Sequence, residues 1–201
     1  MDYIRAFGRI SMVTLRYGRE YRMDLESLPN GRTKRKMVYI GPLFNYVDSM
    51  ERHGKQRIIL LVLSLLTAFQ YIFGFSFYSN LSRVWYSSIP YAFNGIFLIF
   101  EFESILYFWG NHVDFNRERK QRGGERIKGL SIAISVFAFI SLIGSVSASL
   151  AGSVSVQSSD YLYIAVTLIL VVTQIAMFLY SRGIRYTEKE NPLTNEWENI
   201  K

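Results

Sequence analysis

The chain contains no cysteine, so disulfide bonds, thiolate metal sites and cysteine nucleophiles are excluded. Histidine is scarce as well, with two residues in the whole chain. One of them, His112, lies near Asp114, but this pair without a third strong ligand is too small for a zinc site. The chain also lacks a glycine-rich phosphate loop, a zincin motif and a nucleophile elbow. These absences predict a protein that is not an enzyme and that holds no metal or other cofactor.

Charged residues are also rare over much of residues 58–181, where long apolar runs dominate. A helix needs roughly 20 apolar residues to cross the hydrocarbon core of a bilayer. Four segments meet this requirement, at about residues 58–79, 89–109, 130–151 and 161–181. The sequence therefore predicts an all-α integral membrane protein, with a four-transmembrane-helix bundle over residues 57–182.

The second of these segments contains two acidic residues, Glu101 and Glu103. One interpretation is a shorter span from Val84 to Phe100, followed by an interfacial helix that carries both acids. The other is a full span to Trp109. Apolar and aromatic residues continue through the sequence ILYFW before Gly110 ends the pattern, which favours the full span.

Basic residues are nearly absent from two of the three connections between the spans. Residues 80–88 contain one and residues 152–160 contain none, whereas residues 110–128 contain six. Lys and Arg concentrate on the cytoplasmic side of membrane proteins, so this distribution predicts cytoplasmic amino and carboxyl termini. The absence of cysteine and the Tyr- and Phe-rich spans suit a bacterial inner membrane. Because the net charge of +7 follows this membrane pattern, nucleic acid is the weaker interpretation of the charge.

Residues 1–56 form a predicted amino-terminal cytoplasmic appendage. Residues 1–18 carry a basic amphipathic pattern, which predicts a helix that lies on a membrane surface or against a partner. Alternating residues on both sides of turn residues 29–31 predict a β-hairpin. Residues 43–53 have helical spacing, which predicts a short interfacial helix with His53 exposed on its surface. Residues 183–201 are predicted as a cytoplasmic tail.

A run of three basic residues, Lys34, Arg35 and Lys36, lies in the second half of the predicted hairpin. Such a run can meet phosphate, lipid headgroups or an acidic partner. A solvated strand edge that its charges keep soluble is the more ordinary interpretation, and the sequence favours it.

Polar residues inside the spans are the main candidates for function, because ionisable groups in a bilayer are costly. Glu101 and Glu103 are two residues apart and therefore point about 200° apart around a helix. They can be protonated, reach basic residues at the rim (Arg57, Arg126 or Lys128), or meet another polypeptide. Asn94, seven residues before Glu101, lies on about the same stripe. The isolated amides of Gln70 and Gln174 are expected to bond between helices unless they join Glu101 in a wet cavity.

Small residues recur at four-residue spacing in the third span, at Gly144, Ala148 and Gly152. Small residues let helices approach closely, so this ridge is predicted to be a packing interface. It can serve the bundle itself or a second protein, and packing within the bundle is the simpler expectation.

These features lead to two main hypotheses of function. The first is a non-catalytic accessory or assembly subunit of a larger membrane complex, associated with a transporter. The second is a small oligomeric transporter or channel that uses Glu101 for protons or cations. An enzyme acting on lipid ranks last, because the chain lacks a convincing nucleophile or acid/base pair. The predicted partners are the lipid bilayer and either a larger membrane protein or further copies of the chain.

Overall fold

The computed structural model describes six segments of the chain: residues 18–27, 33–47, 50–76, 79–110, 114–152 and 155–193. It contains four long helices, which are α1 (Met50–Ser76), α2 (Trp85–Trp109), α3 (Arg126–Leu150) and α4 (Ser158–Arg182). A helical turn, Arg117–Lys120, continues through the π-helical segment Gln121–Glu125 into α3. The short strands are β1 (Tyr21–Ser27), β2 (Thr33–Tyr39), β3 (Leu43–Tyr46) and β4 (Tyr186–Lys189).

Each of the four long helices is long and apolar enough to cross a membrane. The prediction of a helical bundle with four membrane spans is therefore confirmed at the level of length and composition. Helix α2 runs without a break through Glu101 and Glu103 to Trp109, as the full second span requires.

The interior of the bundle is rich in polar side chains, while its outer surface is apolar. The buried positions of α2 alternate by four and three residues, and every seventh position from Ser87 through Asn94 to Glu101 is polar. Large hydrophobic residues such as Ile99 and Val172 are exposed on the outside. This distribution suits a bilayer, in which apolar side chains face lipid and polar groups must find partners inside the protein.

Strands cover one end of the bundle, where α1 begins and α2 ends; we call it the strand end, and the opposite end the short-loop end. Strands β1 and β2 pair antiparallel from Tyr21↔Tyr39 to Ser27↔Thr33, which confirms the predicted hairpin. Strand β3 pairs antiparallel with β4, and Phe44 of β3 also bridges to Phe115. The amphipathic helix predicted for residues 1–18 lies almost wholly outside the described residues.

Two predictions at the strand end are wrong. Residues 43–46 form a strand instead of the start of an interfacial helix, because β4 satisfies their backbone groups. The same pairing makes Tyr186–Lys189, within the predicted carboxyl-terminal tail, a strand. His53 is also not a surface residue: it is 1% exposed, and its ring stacks on Tyr46 with the centroids 3.6 Å apart.

Side-chain contacts tie the hairpin to the strand end of the bundle. Arg117 lies 2.6 Å from the Glu20 carboxylate, and the hydroxyl of Tyr39 contacts the same carboxylate at 3.0 Å. Burial, followed by the neighbouring Glu20, raises the pKa of Tyr39 to about 12, although the backbone N–H of Arg117 opposes this shift. Asn191 donates to the backbone carbonyls of Tyr39 and Gly41, so the segment after β4 also holds the hairpin in place.

Candidate functional site

Glu101 occupies the interior of the bundle and is fully buried. Its two carboxylate oxygens have different partners. The hydroxyl of Ser131 in α3 lies 3.0 Å from Oε1, and the side-chain amide of Gln174 in α4 donates to Oε2 at 3.1 Å. The acid on α2 is therefore held from two neighbouring helices by neutral groups.

The amide of Gln174 extends this arrangement to the remaining helix. Its Nε2 also donates to the hydroxyl of Thr67 in α1 at 3.1 Å, which uses both amide protons. We call the four residues Thr67, Glu101, Ser131 and Gln174 the Glu101 network. Each comes from a different helix, so a single set of hydrogen bonds crosses the whole bundle.

Ser131 has two possible acceptors for its one hydroxyl proton. Besides Glu101, its Oγ lies 2.9 Å from the backbone carbonyl of Ile127. An ionised Glu101 can accept the proton of Ser131. A protonated Glu101 can instead donate to Ser131, while Ser131 donates to Ile127. Oε1 of Glu101 therefore forms a hydrogen bond with Ser131 in both protonation states of the carboxyl group.

The second acid of the pair lies on the other side of α2. Glu103 forms a salt bridge with Arg126 at 3.1 Å, and 41% of its side chain is exposed. The opposite orientation of the two acids agrees with their spacing, and Glu103 finds its cation among the predicted rim residues. None of the described residues that hydrogen-bond Glu101 is basic.

Three buried amides near the middle of the spans have polar atoms without a partner among the described residues. Gln70 donates to Thr173 at 3.1 Å, but its oxygen accepts nothing, and the oxygen of Gln174 is also unpartnered. Neither polar atom of the Asn94 side chain has a partner, although the residue is 0% exposed. Such groups cost free energy in an apolar interior, so they need a functional or structural reason.

A second buried carboxylate, Asp160, lies at the short-loop end, where the sequence predicted a connection. It accepts hydrogen bonds from the Ser79 hydroxyl at 2.6 Å and from the backbone N–H groups of Leu81 at 3.1 Å and Gln157 at 2.7 Å. Asp160 also closes a capping box with Gln157 at the start of α4. The Gln-x-x-Asp spacing before an apolar run was the sequence signal for this role.

The small-residue ridge of α3 packs mainly inside the bundle. A Cβ on Gly144 would lie 2.9 Å from the backbone oxygen of Tyr86, and Ala148 is buried beside Tyr91 and Tyr163. Gly152 does not belong to this interface: it follows α3 with a φ of +63°, and a Cβ there would meet nothing within 4 Å. Its conformation is the left-handed one that commonly ends a helix, which explains a glycine at this position.

The basic run of β2 remains on the surface. Lys34, Arg35 and Lys36 are all exposed, and Lys34 and Lys36 stand opposite Glu26 and Asp24 of β1. Opposite charges across a strand pair stabilise a hairpin modestly, so this arrangement suits the solvated edge that the sequence favoured.

A groove of about 720 Å³ opens on the outer face of the bundle between α1 and α2. Small residues from both helices line it, among them Ser64, Ala68, Ala92 and Gly95. Larger apolar side chains such as Leu65 and Ile99 line its sides. No sequence pattern signals this groove, because it depends on the relative placement of two helices.

Among the described residues, no cluster of three or more His, Cys, Asp or Glu side chains is placed to hold a metal ion. The chain matches no protein-family model, and comparisons with curated proteins and with solved structures gave no significant match. The Glu101 network is therefore interpreted from its own geometry.

Proposed function

We propose that this chain is a small membrane transporter of protons in which Glu101 binds and releases the transported proton. The observation that carries the proposal is a fully buried carboxyl group in a candidate membrane span, with neutral hydrogen-bond partners and no basic partner among the described residues. An ionisable group at this depth is costly and is retained where it has a function.

The hydrogen bonds around Glu101 support proton exchange in particular. The Ser131 hydroxyl can donate either to Glu101 or to the Ile127 carbonyl. Ser131 therefore keeps its hydrogen bond to Glu101 whether Glu101 gains or loses a proton. A carboxylate paired with arginine, such as Glu103, would resist protonation. Of the two acids in α2, Glu101 is thus the one suited to carry a proton.

We propose that the unpartnered amides form a polar route to Glu101. The oxygens of Gln70 and Gln174 and the amide of Asn94 can bind water, which needs two to four polar partners in a protein interior. Because four helices enclose little space, we propose that transport involves an oligomer or an opening of the bundle. In this proposal the strand end, which holds most of the basic residues, faces the cytoplasm of a bacterial cell.

Reconstitution into vesicles tests this function directly. The purified chain is placed in liposomes that enclose a pH-sensitive dye, and a potassium diffusion potential drives proton entry. We expect proton flux with the wild type and with Glu103→Gln, and none above empty liposomes with Glu101→Gln. Glu103→Gln is the matched control because it removes the same charge two residues away. Equal flux in wild type, Glu101→Gln and empty liposomes would contradict the proposal.

The groove between α1 and α2 favours a second candidate, the accessory subunit of a larger membrane complex. Its small residues would let a transmembrane helix of a partner approach closely, as in other membrane helix pairs. The sequence-based subunit hypothesis depended on the acidic pair and on the small-residue ridge. Both have contacts within the chain, because Glu103 pairs with Arg126 and Gly144 packs against Tyr86. The groove is therefore its remaining structural support.

Substitution in the groove separates the two candidates. Ala92→Leu fills the groove, whereas Val172→Leu adds bulk on the outer face of α4. If the chain is a subunit, we expect Ala92→Leu to release a co-purifying membrane protein in mild detergent and Val172→Leu to retain it. Proton flux by the isolated chain together with the absence of any co-purifying protein would count against the subunit candidate.

A further inference from the structure

A basic pocket lies at the strand end, between the beginning of α1 and the end of α4. It has a volume of about 600 Å³ and is lined by Val47, Arg52, Leu179, Arg182, Gly183 and Arg185. Half of the described lining residues are arginines, and none of these described residues carries a carboxylate. The proposed transport function uses none of these side chains.

The arginines of this pocket leave it strongly positive. Among the described residues, the ion pairs include neither Arg182 nor Arg185. The end of α4 contributes the partial negative charge of a helix carboxyl terminus, which is roughly half an elementary charge. The two full positive charges of Arg182 and Arg185 outweigh it, so the pocket attracts anions.

The position of the pocket points to a ligand that comes from the bilayer. Arg52 and Arg182 lie at the ends of two candidate membrane spans, Arg52–Ser76 and Ser158–Arg182. The apolar side chains of Leu179 and Val47, each 59% exposed, complete the pocket. A ligand in this place needs a phosphate for the arginines and an apolar part for the lipid-facing side of α4.

We propose that this pocket binds the phosphate of an anionic phospholipid, with Arg52, Arg182 and Arg185 around the headgroup and the acyl chains along Leu179. Guanidinium groups match phosphate oxygens in geometry as well as charge. Basic pockets between membrane helices at the interface are a recurring way of selecting anionic lipids. The inference does not depend on the role of Glu101.

Thermal unfolding of the full chain in uncharged detergent tests the proposal. Dioleoylphosphatidylglycerol should raise the melting temperature of the wild type in a concentration-dependent manner, whereas dioleoylphosphatidylcholine should not. The double variant Arg182→Gln/Arg185→Gln should weaken the apparent affinity for the anionic lipid by roughly fivefold per arginine removed. The control Lys34→Gln/Arg35→Gln removes the same charge from the exposed hairpin and should bind as the wild type does.

Three results would overturn the proposal. An equal loss of affinity for the anionic lipid in the pocket variant and in the hairpin control would mean that diffuse surface charge attracts the lipid. If inorganic phosphate alone raises the melting temperature as much as the anionic lipid does, the ligand is a free anion. If both lipids raise the melting temperature equally, the pocket does not select anionic headgroups. If the double variant is not monodisperse, Arg185→Gln alone replaces it. Arg185 lies beyond α4, so its side chain is not needed for the helix, and a roughly fivefold weakening is still expected.

Discussion

Two fully buried carboxylates lie in different parts of this bundle, and their surroundings differ sharply. At the short-loop end, Asp160 receives three hydrogen bonds, two of them from backbone N–H groups, and closes the first turn of α4. Deeper in the bundle, Glu101 receives two bonds from neutral side chains, one of which has an alternative acceptor. Asp160 is held as a charged cap, whereas Glu101 can be accommodated in either protonation state.

The polar groups around the two acids show the same contrast. Near the short-loop end, Ser87 and Ser145 bond to each other at 2.7 Å, and Ser141 donates to the Ser87 carbonyl at 2.9 Å. Around the Glu101 network, polar atoms of Gln70, Asn94 and Gln174 have no partner within the described part of the chain. Complete satisfaction indicates a structural role, whereas buried polar atoms without partners need another explanation, which the proposed proton route would supply.

The largest expected effect comes from replacing each acid by its amide. Asp160→Asn should lower the free energy of unfolding by about 3 kcal/mol, because several bonds to a charged acceptor are weakened. Glu101→Gln should cost less than about 1 kcal/mol, since the new amide can still accept from Ser131 and can donate to the oxygen of Gln174 once the Gln174 amide turns over. Denaturant or thermal unfolding in detergent measures both. If Asp160→Asn and Glu101→Gln destabilise the protein equally, Glu101 is a structural residue, as Asp160 is.

The close approach of α2 and α3 near the short-loop end predicts the next effect. Gly144→Ala should destabilise the bundle by about 2 kcal/mol, because the new methyl group meets the Tyr86 backbone and the helices must separate. Gly129→Ala is the control in the same helix. Its Cβ would meet nothing within 4 Å, so higher helix propensity should leave stability unchanged or raise it by about 0.5 kcal/mol. Equal stability of the two variants would show that α3 packs less tightly than described.

A smaller effect of opposite sign is expected at the unpartnered amide near the network. Asn94→Leu should raise the free energy of unfolding by about 1 kcal/mol, since it removes a buried polar group without partners. The same variant should also transport protons more slowly, because the proposed polar route loses one polar side chain. Gln174→Leu should instead lower stability by about 1 kcal/mol, because it removes bonds to both Glu101 and Thr67. Destabilisation by Asn94→Leu would mean that Asn94 has a partner that holds the fold together.

The smallest effect concerns the strand end, outside the bundle. The pKa of Tyr39 is raised on folding, so its contribution to stability is complete below the ordinary value of 10.0 and is lost as pH rises through about 12. The wild type should therefore lose more unfolding free energy across this interval than Tyr39→Phe does. Unfolding measured at several alkaline pH values compares the two proteins. An identical pH dependence would show that Tyr39 titrates alike in folded and unfolded chains.

Much of the bundle could be predicted from sequence because membrane spans obey a local rule. Apolar length decides whether a segment can cross a bilayer, and the charge-free runs before Ser76 and Arg182 identify two of the helices directly. The opposite orientation of Glu101 and Glu103 also follows from helical geometry alone. The hairpin was predictable for the same reason, since alternation and turn residues are local signals.

The contacts that decide function depend on tertiary structure. Ser131 and Thr67 have ordinary sequence surroundings, and only the packing of four helices brings them to Glu101 and Gln174. The same holds for β3 and β4, which are too short to be stable alone and form because residues distant in sequence supply their hydrogen bonds. The sequence by itself determined which segments are long and apolar enough to cross a membrane, because length and composition are properties of each segment. The tertiary structure decided which polar side chains meet, because a hydrogen bond requires two groups within about 3 Å of each other.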